Sequence, residues 1–308
     1  MSKEFKTNEY HKGEDKFTEE GNLKDSKKEG LWKTYIHEEK RIIIGGYLEP
    51  GEERKIIPTN EYIKLLFKEE NYVNGKLHGQ YTSYYWMWEG KWIKEEGMYE
   101  NGEKTGEWIH HGTWNDRSVF NYKNGKKHGL FKSYQQGWVT PKEHSTDILI
   151  EEGTYKDGKI HGNNKSYHFK KHQPLYLTDD LNYKNGKLHG YCKEYNIYPN
   201  PGRIKSEGMY KNDKRTGKWI YYSEWGNKCV DRICEYDHNE GEYPLKITSF
   251  RSDGKTLFSI DHWKDNKLHG LCTRYDSDGK LWIEETYKNG KTIDSKFYDC
   301  KYYDSKKY

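Results

Sequence analysis

Tyr183-Lys184-Asn185-Gly186-Lys187-Leu188-His189-Gly190-Tyr191-Cys192-Lys193-Glu194-Tyr195 is one copy of a unit that recurs along the whole 308-residue chain. Close copies begin at Tyr72, Tyr99, Tyr122, Tyr155, Tyr210, Trp263 and Tyr287, and a worn copy begins at Leu23. The shared pattern is aromatic, any residue, Asn or Asp, Gly, Lys, any residue, His, Gly, four more residues, then Tyr. Successive starts lie 49, 27, 23, 33, 28, 27, 53 and 24 residues apart. A period in this range marks a repeat array, whose units contact mainly their neighbours. The steps of 49 and 53 are close to double, so degenerate copies are expected near Tyr47 and Tyr236, roughly eleven units in all.

Asn-Gly between short half-polar segments is a strong hairpin signal, because a type I′ turn needs positive φ at both central residues. Asn74-Gly75, Asn101-Gly102, Asn124-Gly125, Asp157-Gly158, Asn185-Gly186 and Asn289-Gly290 fit it; Asn212-Asp213 and Asp265-Asn266 lack the Gly. Counting outward from a two-residue turn pairs Lys184 with Lys187, Tyr183 with Leu188, and eventually Asp180 with Tyr191. Alternation then gathers Tyr183, Leu188, Gly190 and Cys192 on one face and the charges on the other. The place of Cys192 is held by Trp32, Tyr81, Trp108, Phe131, Asn164, Trp219 and Cys272 in other copies. The glycine two residues before it (Gly30, Gly79, Gly106, Gly129, Gly162, Gly190, Gly217, Gly270) reads as room for a neighbouring ring to lie over the backbone.

Only 32% of the residues are apolar and the mean hydropathy is −1.27, a composition that in a compact chain points toward disorder. The 29 Tyr and 11 Trp argue otherwise, since rings bury large areas and favour strands. The core is expected to be thin and built of rings. With 53 basic and 49 acidic residues the net charge is +4, too balanced for general nucleic-acid affinity. There is no run of 18 apolar residues. The opening residues carry no secretion signal, and five cysteines form no framework, so the chain reads as cytoplasmic.

The organisation expected is a polar lead-in over 1–19, a loose segment or a frayed strand; repeats over 20–298, irregular near 47 and over 223–243; and a tail over 299–308. The copy at Tyr287 loses His-Gly, as a terminal cap does. Tyr62 to Phe67 reads as strand, and the loops at 135–146, 168–174 and 198–202 fall opposite the Asn-Gly turns.

The unit Tyr-Lys-Asn-Gly-Lys-Leu-His-Gly, with Glu-Gly or Glu-Glu ahead of it, resembles the bacterial variant of the MORN (membrane occupation and recognition nexus) repeat, found in YwqK-type antitoxin components. The resemblance covers roughly 20–298. It implies an all-β fold: an elongated, single-layer antiparallel β-meander of tandem hairpins. It also implies binding of proteins or acidic lipids without catalysis by the repeats.

Each column of the repeat carries a candidate chemistry. His78, His128, His161, His189 and His269 recur once per hairpin, about 9.6 Å apart at ~4.8 Å per strand, too far to share a zinc ion. They read as structural hydrogen bonders beside the turns. Cys192 and Cys272 are too far apart to be bridged and read as small apolar substitutes for a ring; Cys229 and Cys234 lack a second pair of ligands. The acidic column (Glu20, Glu69, Glu96, Glu152, Asp180, Glu207, Glu284) forms a row rather than a catalytic pair, expected to meet His or Lys of the opposite strand at roughly 0.2–1 kcal/mol each. No nucleophile motif, phosphate loop or metal quartet is present, so neither an enzyme nor a cofactor is expected.

Two surfaces remain. The rings Trp32, Tyr81, Trp108, Phe131 and Trp219 read as a partner-binding trough, since one sheet has no second layer to cover them; stacking of these rings as the core is the competing reading. The turn lysines, among them Lys123, Lys126, Lys156, Lys159, Lys184 and Lys187, read as an edge for anionic lipid or an acidic partner. The function expected is a scaffold binding another protein, a toxin in the antitoxin reading. A peripheral membrane scaffold is the first alternative and single-stranded nucleic-acid binding the second, although rings and lysines on opposite faces argue against nucleic acid.

Overall fold

A computed structural model describes residues 3–44, 55–87, 90–112, 116–136, 147–169, 174–198, 200–224, 229–237 and 243–298. The chain divides into two compact units, 1–136 and 137–308. The described residues are all-β and contain no helix. In the first unit the strands are β1 (Glu4–Lys12), β2 (Asp15–Lys24), β3 (Lys27–Ile44), β4 (Lys55–Val73), β5 (Lys76–Met87), β6 (Gly90–Glu100), β7 (Glu103–His111), β8 (Arg117–Lys123) and β9 (Lys126–Gln136). In the second they are β10 (Asp147–Lys156), β11 (Lys159–Ile160), β12 (Gly162–His168), β13 (Tyr176–Lys184), β14 (Lys187–Leu188), β15 (Gly190–Tyr195), β16 (Ile204–Lys211), β17 (Lys214–Tyr222), β18 (Val230–Tyr236), β19 (Pro244–Phe250), β20 (Leu257–Lys264), β21 (Lys267–Leu268), β22 (Gly270–Tyr275), β23 (Leu281–Lys288) and β24 (Lys291–Phe297). Within each unit successive strands pair antiparallel, with β11–β12, β14–β15 and β21–β22 each serving as one interrupted strand against β10, β13 and β20, so each unit is an open meander of hairpins.

The turns are of the type the sequence demands. Asn185 and Gly186 sit at φ 53° and 86°. The pairs without Gly follow: Asn212 and Asp213 at 52° and 70°, Asp265 and Asn266 at 50° and 57°, Asp25 and Ser26 at 50° and 59°. Adjacent turns are stitched together. The N–H of Gly102 donates to Leu77 O and that of Gly125 to Lys104 O in the first unit; Gly186 donates to Ile160 O and Gly290 to Leu268 O in the second.

The expected register holds only beside the turn. Tyr183 faces Leu188 and Lys184 faces Lys187, but Asp180 faces Lys193, not Tyr191. Two extra residues have entered the second strand. The same step of two occurs between Gly21↔Trp32 and Asn22↔Glu29, and between Gly208↔Trp219 and Met209↔Thr216. Because the step is even, the faces keep their assignment.

The repeat glycine is the centre of this bulge, which corrects its reading as a place for ring cover. Gly190 stands at φ 110°, and Gly30 and Gly106 at 70° and 64°. A Cβ added at Gly30 or Gly106 would meet nothing within 4 Å. Glycine is needed there for its left-handed backbone, as bulges require. The glycines that do lie beneath rings are Gly21, Gly97 and Gly208, on the preceding strand. An added Cβ would lie 2.5, 2.3 and 2.5 Å from Trp32, Trp108 and Trp219.

Of the two double steps, one contains an extra hairpin. β18 and β19 pair with each other, and Tyr236 faces Gly217 as Tyr210 faces Gly190, so the copy near Tyr236 is real. β3 and β4 pair with each other from Gly30↔Tyr72 out to Ile44↔Lys55; the copy expected near Tyr47 lies outside the described residues. The strand expected at 62–67 belongs to β4. The lead-in is ordered as a hairpin, with β1 and β2 paired from Glu4↔Leu23 to Lys12↔Asp15. At the other end β24 is exposed throughout and its register moves by one residue, not two, where His-Gly is missing. The tail 299–308 lies outside the described residues.

Candidate interaction site

The ring face is a closed core. Trp108 and Trp219 are 0% exposed, Trp32 1% and Phe131 3%; Tyr81 is half-buried. The rings named as a partner trough are therefore not available as one. What covers the three tryptophans in a single layer is the stem and head of a cation from their own hairpin. Lys28 Nζ lies 4.3 Å from the Trp32 ring centre, Lys104 Nζ 3.6 Å from that of Trp108, and the Arg215 guanidinium 4.7 Å from that of Trp219. Each indole N–H donates to a backbone carbonyl ten residues back, Asn22, Met98 and Met209, at 3.0, 3.0 and 2.9 Å. Tyr81, Tyr99 and Trp108 pack with ring centres 5.1–5.5 Å apart.

These contacts sort the hairpins into kinds. The three with Trp have Gly beneath it, a cation four residues before it, and Glu29, Thr105 or Thr216 where others have His. The two with Cys have Leu181 or Asp261 one residue beyond the last paired residue of the opposing strand, Leu188 or Leu268 four residues before, and His189 or His269. A large ring needs an empty partner position and a polar lid.

The histidines link one hairpin to the next turn. Nδ1 of His78, His161 and His269 accepts the backbone N–H of Asn101, Asn185 and Asn289 at 3.4, 3.3 and 3.4 Å. Glu29 does the same for Asn74 at 2.9 Å. The acidic column has a partner the sequence reading missed, the Tyr that ends the motif. Tyr35 donates to Glu20 at 2.7 Å, Tyr84 to Glu69 at 2.6 Å, Tyr167 to Glu152 at 2.9 Å, and Tyr222 to Glu207. A constant separation of 15 residues was the signal. Lysines join in, as expected, with Lys33 on Glu69 at 3.2 Å and Lys193 on Glu207 at 3.6 Å. Burial and then the neighbouring carboxylate push the Tyr35, Tyr84, Tyr167 and Tyr222 hydroxyls up to about 12.

Cys192 and Cys272 are buried, Cys234 packs with Trp219 and Tyr236, and Cys229 is half-buried; all four are free thiols. Among the described residues no three His, Cys, Asp or Glu side chains converge as a metal site would require.

The lysine edge is what stays open. In the second unit the residues that close the turns are Lys156↔Lys159, Lys184↔Lys187, Lys211↔Lys214, Lys264↔Lys267 and Lys288↔Lys291. All ten are exposed, and none pairs with a described carboxylate. Like charges directly opposite destabilise a strand pair, so each of the five pairs is a local cost. The first unit has Lys24↔Lys27 and Lys123↔Lys126, separated by Val73↔Lys76 and Glu100↔Glu103. Comparison with protein-family models found no match for this chain, and comparison with curated proteins found none either.

Proposed function

We propose that the chain is a non-catalytic repeat scaffold that binds an acidic protein partner along its turn edge, chiefly through the second unit. The observation that carries this reading is the run of directly opposed, uncompensated lysine pairs. An anionic partner would convert their repulsion into attraction. The resemblance to MORN-type antitoxin components adds the expectation that binding neutralises the partner.

A protein chain suits such an edge better than a membrane does. At the usual twist of about 20–25° per strand, the turns of successive hairpins rotate by roughly 45° each, so a flat bilayer meets only a few of them. A flexible acidic segment can follow the rotation. Closure of the ring core leaves few faces for the stacking that single-stranded nucleic acid requires.

The test is binding of labelled polyglutamate to the full chain. Tight, salt-sensitive binding that is lost on charge reversal of Lys156, Lys159, Lys184, Lys187, Lys211 and Lys214 to Glu supports the reading. Flotation with phosphatidylserine vesicles at low salt, without polyglutamate binding, would replace it with the membrane alternative.

A further inference from the structure

Tyr191 and Met209 stand directly opposite each other on β15 and β16. The next pair, Cys192 and Gly208, belongs to the ring face. Alternation puts Tyr191 and Met209 on the reverse face, where they are 46% and 45% exposed. The Tyr191 side chain and the Met209 backbone are held in place. The Tyr191 hydroxyl donates to Glu207 Oε2 at 2.7 Å, and Lys193 Nζ lies 5.8 Å from its ring centre. The Met209 carbonyl accepts the Trp219 indole N–H. The turn of the hairpin carrying Tyr191 is closed by Lys184 and Lys187; that of the hairpin carrying Met209 is closed by Lys211 and Lys214. An ordered apolar pair thus adjoins two opposed lysine pairs. The matching pairs described in the first unit, Leu31↔Asn71, Gln80↔Met98 and Glu107↔Asn121, have at most one apolar member each, and Gln80↔Met98 is bordered by Val73↔Lys76 and Glu100↔Glu103. Later in the second unit Leu271 faces Thr286, with one apolar member instead of two.

We infer that Tyr191 and Met209, framed by Lys184, Lys187, Lys211 and Lys214, form the anchoring point for an acidic peptide segment that carries one large apolar side chain. This rests on the proposed function and names the chemistry its partner must have. Exposed lysines steer an anion and speed its arrival but discriminate little between anions. Energetic centres of interfaces are apolar anchors with a polar rim, and tyrosine is favoured in them. A purely acidic segment would satisfy the lysines and leave both apolar side chains in water. A segment with an apolar residue among its carboxylates covers them.

Two labelled peptides separate the possibilities when titrated into the full chain at low salt: an all-glutamate nonapeptide, and the same peptide with leucine at its centre. The leucine peptide is expected to bind about ten-fold more tightly, the worth of partly burying one such side chain. Met209→Thr should abolish that advantage and leave binding of the all-glutamate peptide unchanged. Thr154 and Thr286 occupy this position in sister hairpins, and an unchanged far-UV circular dichroism spectrum would show the fold intact. Equal affinity for the two peptides, with both lost on Lys184→Glu and Lys211→Glu, overturns the anchor but keeps the lysine edge. Failure of both peptides to bind overturns the anchor and the edge together.

Discussion

The hairpin of β6 and β7 and the hairpin of β13 to β15 share an Asn-Gly turn and a bulge, yet they fill the space over their sheet in opposite ways. In the first, Trp108 lies flat on Gly97 under the Lys104 ammonium, and Glu95 holds that lysine at 3.1 Å. In the second, Cys192 takes the place of the ring, Leu181 that of Gly97 and Leu188 that of the lysine, and Asp179 faces Glu194 with no cation from its own hairpin between them. Even the bulge differs: the glycine φ is 64° in one and 110° in the other. These two hairpins therefore keep the turn and the two-residue register step while distributing side-chain volume differently at four positions. Other copies combine the features, as the Phe131 hairpin does with Lys127 and His128.

The heaviest blow to this comparison is truncation of the ring. Trp108→Ala removes the side chain that Gly97, Lys104, Tyr81 and Tyr99 all touch and should cost about 3–5 kcal/mol. Cys192→Ala removes one sulfur atom and should cost about 1 kcal/mol. Urea denaturation followed by circular dichroism measures both. Similar losses at the two sites would mean that the ring and the thiol are equivalent fillers.

Next in size is Gly97→Ala. Its Cβ would lie 2.3 Å from the indole, so ring or strand must move, at about 2–3 kcal/mol. The quadruple change Gly97→Leu, Lys104→Leu, Thr105→His, Trp108→Cys sharpens the test. It rebuilds the other hairpin's filling and should be more stable than Trp108→Ala alone, because contacting residues are not additive. A sum of four independent losses would dissolve the idea of two kinds.

Much of this was legible in the residues. The turns, the closing lysine pairs, the ring face and the real copy at Tyr236 follow from Asn-Gly spacing and alternation. The two-residue register step was not foreseen, because Gly190 was read for its missing side chain and not for its backbone freedom. A glycine at a fixed place inside a strand pattern is itself a bulge signal. The linkage of Gly97, Lys104, Thr105 and Trp108 also lay open to comparison among the copies; what hid it was reading each column separately. The closed core was missed for a physical reason. A count of layers ignores that Lys and Arg can cover a ring with their own stems.

A smaller effect isolates the lid. Lys104→Leu leaves Trp108 in place but removes the cation over it and one partner of Glu95. The expected cost is about 1 kcal/mol, the usual worth of a partly exposed cation–π contact. Lys104→Arg should recover most of it, since a guanidinium already plays this part at Arg215 over Trp219. If both variants match the parent in urea, the lysine is only a solvated neighbour of the ring.

The smallest effect distinguishes the two hairpins by sign. Glu95 is held down at about 2 by its bond to His110 and then by Lys104. Asp179 is pushed up, by burial first and the facing Glu194 next. Between the ordinary carboxylate value of about 4.3 and 2, an unfolded chain binds a proton at Glu95 that the folded one refuses, so this group's stabilisation is lost as the pH falls through that window. Asp179 behaves in reverse: the folded chain keeps its proton longer, so its contribution is fullest below about 3.9 and is lost as the pH rises through its folded value. Asp179→Asn should therefore stabilise the chain at pH 7, by less than about 1 kcal/mol, and lose that advantage below pH ~4. Glu95→Gln should destabilise it at pH 7 and become neutral near pH ~2. Carboxyl-carbon NMR titration reads both groups directly. Two coincident curves near the ordinary value would erase the electrostatic half of the comparison and leave only packing to separate the hairpins.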